Sequence, residues 1–335
     1  MLTKMVKAFT PQRWHSSLGL WKTRCVLPIY YWRDFRHLFH FSGDQDSNYV
    51  ACRFKLIKHY HRLEKALSTP DFEIGRGFRA AEDLLNDFEE FLENKYFTGD
   101  LQFAVARKVL EQFLDKQNHN AAYLRKRYQH ISRTLFLETA NSPIESGSIT
   151  LGRSYFMVAK DASFDILSSH RHSVRDFDPR PVSRSIILAA VGVAQRTPSV
   201  CNRQGWHVVA IQQEEILSLF REIHNGFARP EQYLSALLVI CFTRSAFDYP
   251  VERNQGFIDG GLFSMSLMHA FTHLGVGCCP LNANITPQSE KRFRDAIGLS
   301  DQYGLVMFMA VGHYKDETIV PVSHRDSASD KVIFL

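Results

Sequence analysis

Residues 236–242 read Ala-Leu-Leu-Val-Ile-Cys-Phe, seven apolar side chains in succession. A strand that is apolar at consecutive positions is typical of a strand covered on both faces. Outward from it, helical and β patterns alternate along the chain: strands are predicted at 206–212 and 303–311, and helices at 184–195, 214–223 and 258–274. The sequence therefore predicts an α+β domain over residues 165–335, with helices layered on a sheet.

The chain before this domain has a different pattern. From about Tyr49 to Leu137, apolar residues recur three and four positions apart, with charged residues between them. This spacing predicts an all-helical domain of about four helices over residues 49–140. The polar stretch Asn-Ser-Pro-Ile-Glu-Ser-Gly-Ser at 141–148 predicts a linker, which we place at 141–164.

The first 48 residues form a basic and aromatic segment. Seven Lys and Arg residues between positions 4 and 36 are accompanied by a single acid, Asp34, in a chain of net charge +5. Such a segment contacts an acidic lipid surface, a polyanion or a protein partner, or it is simply a solvated basic face. No nucleic-acid-binding motif accompanies the charge, so no nucleic-acid partner is predicted.

Cysteine usage indicates a reducing compartment. The six cysteines show neither a CxxC pair nor the spacing of a secreted disulfide framework, and the adjacent Cys278 and Cys279 fit a buried core better than a redox or metal site. No apolar run reaches the length of a membrane span, and no signal peptide is evident at the amino terminus. We therefore expect a cytoplasmic protein without a metal site.

A first candidate site lies at 169–177, which read Ser-His-Arg-His-Ser-Val-Arg-Asp-Phe. Arg171, His172, Ser173 and Arg175 place two guanidinium groups, an imidazole and a hydroxyl within five residues. Phosphate oxygens accept short charge-assisted hydrogen bonds from such donors. The alternative is a solvated basic cluster, which by itself is the commoner case.

A second candidate is the loop at 197–207, Thr-Pro-Ser-Val-Cys-Asn-Arg-Gln-Gly-Trp-His, between a predicted helix and a predicted strand. Ser199, Asn202 and Gln204 offer hydroxyl and amide groups that match the carbonyl and imide edge of a flavin ring. A plain helix-to-strand turn is the alternative, although the length and polar density of the loop argue against it.

Two further segments complete the set. In 274–283, Leu-Gly-Val-Gly-Cys-Cys-Pro-Leu-Asn-Ala, Gly275 is suited to end the long helix and Gly277 to admit a close backbone approach by a ligand. In the last segment, a predicted strand ends at Gly312, and Arg325 follows at a distance that lets the chain return to the basic cluster.

In this order, the four segments resemble the FMN-dependent nitroreductase family. The resemblance covers residues 165–330 and implies a three-layer fold, with a central, mainly antiparallel sheet flanked by helices. It also implies a homodimer, because the family loop reaches the flavin from the partner subunit. The implied FMN-binding residues are Arg171, His172, Ser173, Arg175, Pro198, Ser199, Val200, Asn202, Gln204, Pro280, Leu281, Asn282, Ala283 and Arg325.

Within this resemblance, the basic cluster and Arg325 hold the phosphate, and Asn282 and Ala283 lie at the flavin N5 and O4 edge. Two positions depart from the family pattern. Gly205 replaces a usual Pro, and Ser323 replaces a Lys that commonly precedes the final Arg by two residues. The first change loosens the loop, and the second removes one phosphate contact.

The helical half also resembles a known extension. The stretches Tyr-Tyr-Trp-Arg-Asp-Phe at 30–35 and His-Arg-Leu-Glu-Lys-Ala-Leu-Ser at 61–68 are similar to an amino-terminal extension of bacterial nitroreductase-like proteins associated with surface-polysaccharide biosynthesis. An exposed charged helix face explains Arg62, Glu64 and Lys65 equally well.

Together, the resemblances imply an FMN-dependent oxidoreductase that takes electrons from NAD(P)H and passes them to a small-molecule acceptor. No Gly-x-Gly-x-x-Gly follows a strand, so the nicotinamide is expected to stack directly on the flavin. We assign no catalytic proton donor: His207 fits a core or edge histidine better than a catalyst, and by the resemblance His224 and Tyr233 lie in the variable region that covers the flavin. Two alternatives stay open: a flavin-binding or flavin-free module for a biosynthetic partner, and a flavoenzyme that dehydrogenates its substrate or reduces a double bond.

Overall fold

The computed structural model describes residues 12–41, 48–69, 72–96, 101–135, 145–224, 233–247 and 249–335. The first helix, α1 (Gln12–Phe41), contacts the carboxy-terminal half through Asp34, whose carboxylate accepts two hydrogen bonds from the Arg253 guanidinium at 2.6 and 2.7 Å. Among the described helices, none combines the length and the apolar character needed to cross a bilayer. Lys4 and Lys7 of the basic segment lie outside the described residues.

Four helices follow in the described part of the amino-terminal half, as the apolar spacing predicts. Each buries its apolar stripe in one shared core, in which the Phe88 and Phe91 rings lie 4.9 and 5.3 Å from the ring of Phe103. Edge-to-face and tilted ring pairs of this kind stabilise a core beyond the area that they bury. The helices are α2 (Tyr49–Leu67), α3 (Phe78–Glu93), α4 (Leu101–Lys116) and α5 (Ala122–Leu135).

The carboxy-terminal half contains a four-stranded antiparallel sheet in the order β2-β3-β5-β4. Its strands are β2 (Trp206–Ile211), β3 (Ala236–Thr243), β4 (Gly277–Asn282) and β5 (Tyr303–Gly312). Strand β1 (Ser148–Gly152) belongs to a second, smaller sheet. The helices of this half are α6 (Arg153–Met157), α7 (Phe164–His170), α8 (Arg184–Ala194), α9 (Glu214–Ile223), α10 (Gln255–His273) and α11 (Pro287–Ile297).

Strand β3 is the centre of three layers. Leu238 and Ile240 share one core with residues of α8 and α10, whereas Leu237 and Val239 share the other core with residues of α9 and α11. Successive side chains of a strand point to opposite faces, so a strand buried on both faces must be apolar throughout. This arrangement confirms the predicted α+β, nitroreductase-like three-layer fold preceded by a helical domain.

A two-stranded antiparallel sheet joins the two halves. Strand β1 (Ser148–Gly152) pairs with β6 (Glu317–Pro321), and α2 packs against both strands. The Ser148 hydroxyl also donates to the Leu67 carbonyl at 3.2 Å. Residues 148–152 thus differ from the linker expected over 141–164, since they are a paired strand docked on the helical domain. Residues 141–144 lie outside the described part.

Candidate functional site

The basic segment 171–175 runs beside strand β4. It follows the end of α7, and Ser173 forms a parallel bridge to Cys278, with the Val174 amide donating to the Cys278 carbonyl at 3.1 Å. Backbone pairing therefore fixes the four predicted phosphate ligands next to the strand that ends in Pro280, Leu281 and Asn282. The fold brings together two segments that are a hundred residues apart in sequence.

The electrostatic field of this cluster is positive. Burial, together with the nearby Arg171, His170 and Arg325, lowers the pKa of His172 from 6.5 to about 4. The imidazole is thus neutral near pH 7, and its Nε2 lies 3.3 Å from the Tyr155 hydroxyl. Arg325 is among the charges that lower this pKa, and its return to the basic cluster stays a prediction.

Three guanidinium groups of the site have no carboxylate partner among the described residues. They belong to Arg171, Arg175 and Arg325; Arg175 donates only to the Ser173 carbonyl, at 3.4 Å, and Arg325 only to the Ser323 carbonyl. Other arginines of this half do bind carboxylates, for example Arg203 with Glu252, Arg292 with Glu222 and Arg294 with Glu290. The positive charge of these three groups is therefore not neutralised by a carboxylate among the described residues.

The end of β4 is held by a buried histidine. His224 is 3% exposed, and its Nε2–H donates to the Asn282 carbonyl at 2.9 Å. Burial lowers the pKa of His224, which keeps the ring neutral. The Asn282 side chain is exposed and Ala283 is half-buried, so both border open space at the end of the strand. His224 has a structural role in positioning this backbone.

The adjacent cysteines belong to the core. Cys278 and Cys279 are buried and unbridged, and burial raises the pKa of Cys278 to about 12. Gly275 ends α10 with φ of 70°, as expected. The space beside Gly277, however, is filled by the Tyr314 ring, 3.0 Å from where a Cβ would lie. Gly277 therefore makes room for the Tyr314 ring, and the expectation that a ligand approaches the backbone here is wrong.

The polar loop 198–206 has an unusual backbone. Cys201, Asn202 and Gln204 all have φ near 50°, a region that costs a non-glycine residue free energy. The loop is nevertheless well held: the Gln204 amide donates to the Ser199 hydroxyl at 2.9 Å, and the Arg203 guanidinium binds the Glu252 carboxylate. The amide side chains of Asn202 and Gln204 remain exposed and available to a ligand.

Within one chain, the loop and the basic cluster lie at different points along α10. The Val200 amide donates to the Asp259 carboxylate at 3.3 Å, whereas α7, which leads into the basic cluster, contacts α10 through the Phe164 and His269 rings, whose centroids lie 5.2 Å apart. Ten residues of helix separate Asp259 from His269, which corresponds to about 15 Å. The loop therefore contacts α10 well away from the helix that leads into the basic cluster.

The helical domain also borders the site, which sequence reasoning missed. The Asp326 carboxylate, next to Arg325, accepts hydrogen bonds from Arg53 of α2 at 2.7 Å and from Gln102 of α4 at 2.5 Å. Lys65 of α2 is half-buried, and burial together with the nearby Arg175 lowers the pKa of its ammonium group. These contacts join residues more than 100 positions apart, so no local pattern reveals them.

Residues 169–313 match the model of the nitroreductase family. These residues are thus similar to the nitroreductase family, and the match covers less than half of the chain. Three of the four segments that resemble this family in sequence lie within the matched residues, and so does Gly312 of the fourth, but Arg325 does not. The helical domain and segment 314–335 lie outside them.

Two relatives are similar to part of the chain. A protein of Archaeoglobus fulgidus, named for NADH dehydrogenase/NAD(P)H nitroreductase activity, is 24% identical over 147 residues, which are 44% of this chain and 83% of the relative. The CLA biosynthesis enone reductase of Lactiplantibacillus plantarum is 32% identical over 121 residues. This alignment covers 35% of the chain and 54% of the reductase, so the chain spans about half the length of that relative.

Solved structures of similar proteins also match this half. An NAD(P)H:FMN oxidoreductase by name, from Staphylococcus epidermidis, has a TM-score of 0.46 at 20% identity and covers 52% of this chain and 96% of its own. A nitroreductase of Exiguobacterium sibiricum, solved in complex with FMN, has a TM-score of 0.44 at 19% identity and covers 52% and 99%.

Proposed function

We propose that this protein is an FMN-dependent oxidoreductase that takes electrons from NAD(P)H and passes them to a small-molecule acceptor. The observation that carries the proposal is the set of three guanidinium groups, Arg171, Arg175 and Arg325, which have no carboxylate partner in the described chain; the first two flank Ser173, which pairs with β4. A terminal phosphate monoester is the ligand that this set fits, because it presents several charged oxygens to several converging donors.

The chemistry that bound FMN would supply is two-electron transfer from NAD(P)H to the second substrate. The residues of the chain would bind and orient the cofactor. Arg171, Arg175 and Arg325, together with Ser173 and neutral His172, would hold the phosphate and the adjoining chain of the cofactor. Backbone groups at Asn282 and Ala283, held by His224, would face the region where the ring gains negative charge.

We further propose a homodimer in which the loop 198–204 completes the partner's site. In a single chain, this loop contacts α10 about 15 Å along the helix from the contact of α7, which leads into the basic cluster. Near the loop contact, α10 has an exposed apolar stripe formed by Phe257, Ile258, Leu262 and Met265, which are 40–54% exposed. An apolar stripe of this size beside a polar loop is typical of a subunit interface.

The similarities point to two classes of electron acceptor. Similarity to an enone reductase favours reduction of an activated double bond, whereas the family name favours nitro compounds. The association with surface-polysaccharide biosynthesis depends only on the resemblance of residues 30–35 and 61–68. We place the protein in the cytoplasm on the basis of its cysteine usage.

A partner-binding module is the competing function, and the exposed aromatic face of α1 favours it. Trp32, Phe35 and Phe39 stack along this helix and are 52–64% exposed, with Arg33 and Arg36 beside them. Such a face suits an acidic membrane or a protein partner. Cosedimentation with anionic vesicles, compared between the wild type and Trp32→Ser, separates lipid binding from a protein partner.

The direct test of the proposed function is the identity and redox behaviour of the bound flavin. Purified protein should release FMN on heating, identified by chromatography, and its yellow colour should bleach when NADH or NADPH is added without oxygen. FAD in place of FMN, or no flavin binding even with excess FMN, contradicts the proposal. Bound FMN that neither nucleotide reduces supports the module in place of the enzyme.

A further inference from the structure

Arg325 stands on a segment without helix or strand. The segment follows β6 and spans residues 322–327. Its start is fixed by the Val322 amide, which donates to the Gly147 carbonyl at 2.9 Å, and Ser323 adopts a φ of 52°. Arg325 itself is exposed. A long, exposed side chain on an irregular segment is costly to order on binding, unless the backbone beneath it is already held.

The residue that holds this backbone is Asp326. Its side chain is 9% exposed, and one carboxylate oxygen accepts hydrogen bonds from the Arg53 guanidinium at 2.7 Å and the Gln102 amide at 2.5 Å. The other oxygen binds the Lys331 ammonium. Gln102 in turn accepts a hydrogen bond from the Tyr60 hydroxyl at 2.5 Å, and Tyr60 and Gln102 are 3% and 2% exposed.

These contacts set the charge beside the site as well as its shape. The hydrogen bond from Arg53 is the main cause that lowers the pKa of Asp326, so this carboxylate is ionised at neutral pH. An ionised carboxylate next to Arg325 would compete with a phosphate for the guanidinium. Because Arg53, Gln102 and Lys331 already bind Asp326, the Arg325 guanidinium stays available.

We propose that Asp326 is a positioning residue for the cofactor phosphate, and that Arg53 and Gln102 make the helical domain a structural part of the FMN site. Adjacent Cα atoms lie about 3.8 Å apart, so a fixed Asp326 restricts where the Arg325 backbone can lie. This inference depends on the proposed function, because it assumes that the anion bound at Arg325 is the FMN phosphate.

The test compares FMN with riboflavin, which has the same ring and no phosphate. Dissociation constants are measured by flavin fluorescence for the wild type, Asp326→Asn and Arg53→Met. We expect each variant to lose about tenfold or more in FMN affinity, equivalent to one charge-assisted contact, and to keep its riboflavin affinity. Arg127→Ala is the matched control, since it removes an ion pair with Glu89 inside the helical domain and should change neither constant.

A double-mutant cycle then asks whether Asp326 acts through Arg325. On an Arg325→Ala background, Asp326→Asn should cause no further loss of FMN affinity. Additive losses, or equal losses for FMN and riboflavin, would overturn the positioning role. If Arg325→Ala lowers FMN affinity while Asp326→Asn and Arg53→Met do not, only this inference fails. A wild-type protein that binds no FMN removes the proposed function, and the inference with it.

Discussion

Arg171 and Arg325 are the residues on which cofactor binding should depend most. Replacing either with Ala should remove a charge-assisted contact worth about 1.5–3 kcal/mol, which lowers FMN affinity by about tenfold to a hundredfold. Both side chains lack carboxylate partners in the described chain, so the fold should be little affected. Fluorescence titration with FMN gives the affinity, and circular dichroism checks folding. Arg292→Ala, which loses an exposed ion pair with Glu222, is the control.

His172 should make the stability of the protein depend on pH. Its pKa is lowered from 6.5 to about 4 in the folded state, so in that range the unfolded chain binds the proton more readily. The stability linked to this group is fully present above pH 6.5 and is lost as the pH falls toward 4.

The variant His172→Gln lacks this dependence. Between pH 7 and about pH 4, the free energy of unfolding of the wild type should therefore fall more steeply than that of the variant, by as much as about 3 kcal/mol. Urea unfolding of both proteins, with flavin removed, measures the difference. Equal slopes would show that His172 is not buried in its neutral form.

At the residue scale, sequence reasoning finds what is local. Two arginines, a histidine and a serine within five positions are a signal of phosphate binding that needs no tertiary information. The hydrogen bond from Arg53 to Asp326 joins residues 273 positions apart, and that from His224 to Asn282 spans 58 positions. Neither pair forms a pattern within a helix or strand, so only the folded structure reveals them.

Among the elements, α10 has one face in the core and one exposed. Phe263, Leu267 and Phe271 are buried against the sheet, while Leu262 and Met265 are 48% and 40% exposed. If the exposed stripe is the subunit interface, Leu262→Asp should place a charge in an apolar contact and yield monomers with reduced FMN content. Light scattering gives the mass. Tyr123→Asp, at a 66% exposed position of the helical domain, should change neither property.

The same element shows where sequence patterns reach their limit. The predicted helix begins at Ile258, but the observed one begins at Gln255, because the apolar pattern does not include Gln255 and Gly256. Strand β1 was not predicted: only Ile149 and Leu151 of its five residues are apolar, and its partner β6 lies far along the chain. Helix α11 is not among the helices that the sequence predicts. Its end signals, Thr286, Pro287 and Gly298, are present, but only two of its residues, Phe293 and Arg294, are buried, so its apolar stripe is weak.

At the scale of the whole molecule, the helical domain packs directly against the carboxy-terminal half. Among the described residues, packing and hydrogen bonds connect the two halves. Helix α2 packs on β1 and β6, Gln112 of α4 binds the backbone of Ser148 at 3.0 Å, and Asp326 binds α2 and α4. The family resemblance of residues 165–330 gave no information about this docking, because the helical domain lies outside the family pattern.

The central claim is a flavin site shared between two subunits, and it is tested by mixing two defective variants. Asn202→Ala disables the loop and Arg171→Ala disables the basic cluster, so each homodimer should bind FMN poorly. In a refolded equal mixture, half of the dimers are mixed, and each mixed dimer has one site with neither change. The account predicts that about a quarter of the wild-type FMN content returns, together with a dimeric mass. A mixture that recovers no FMN, or a stable wild-type monomer with full FMN, would contradict the shared site.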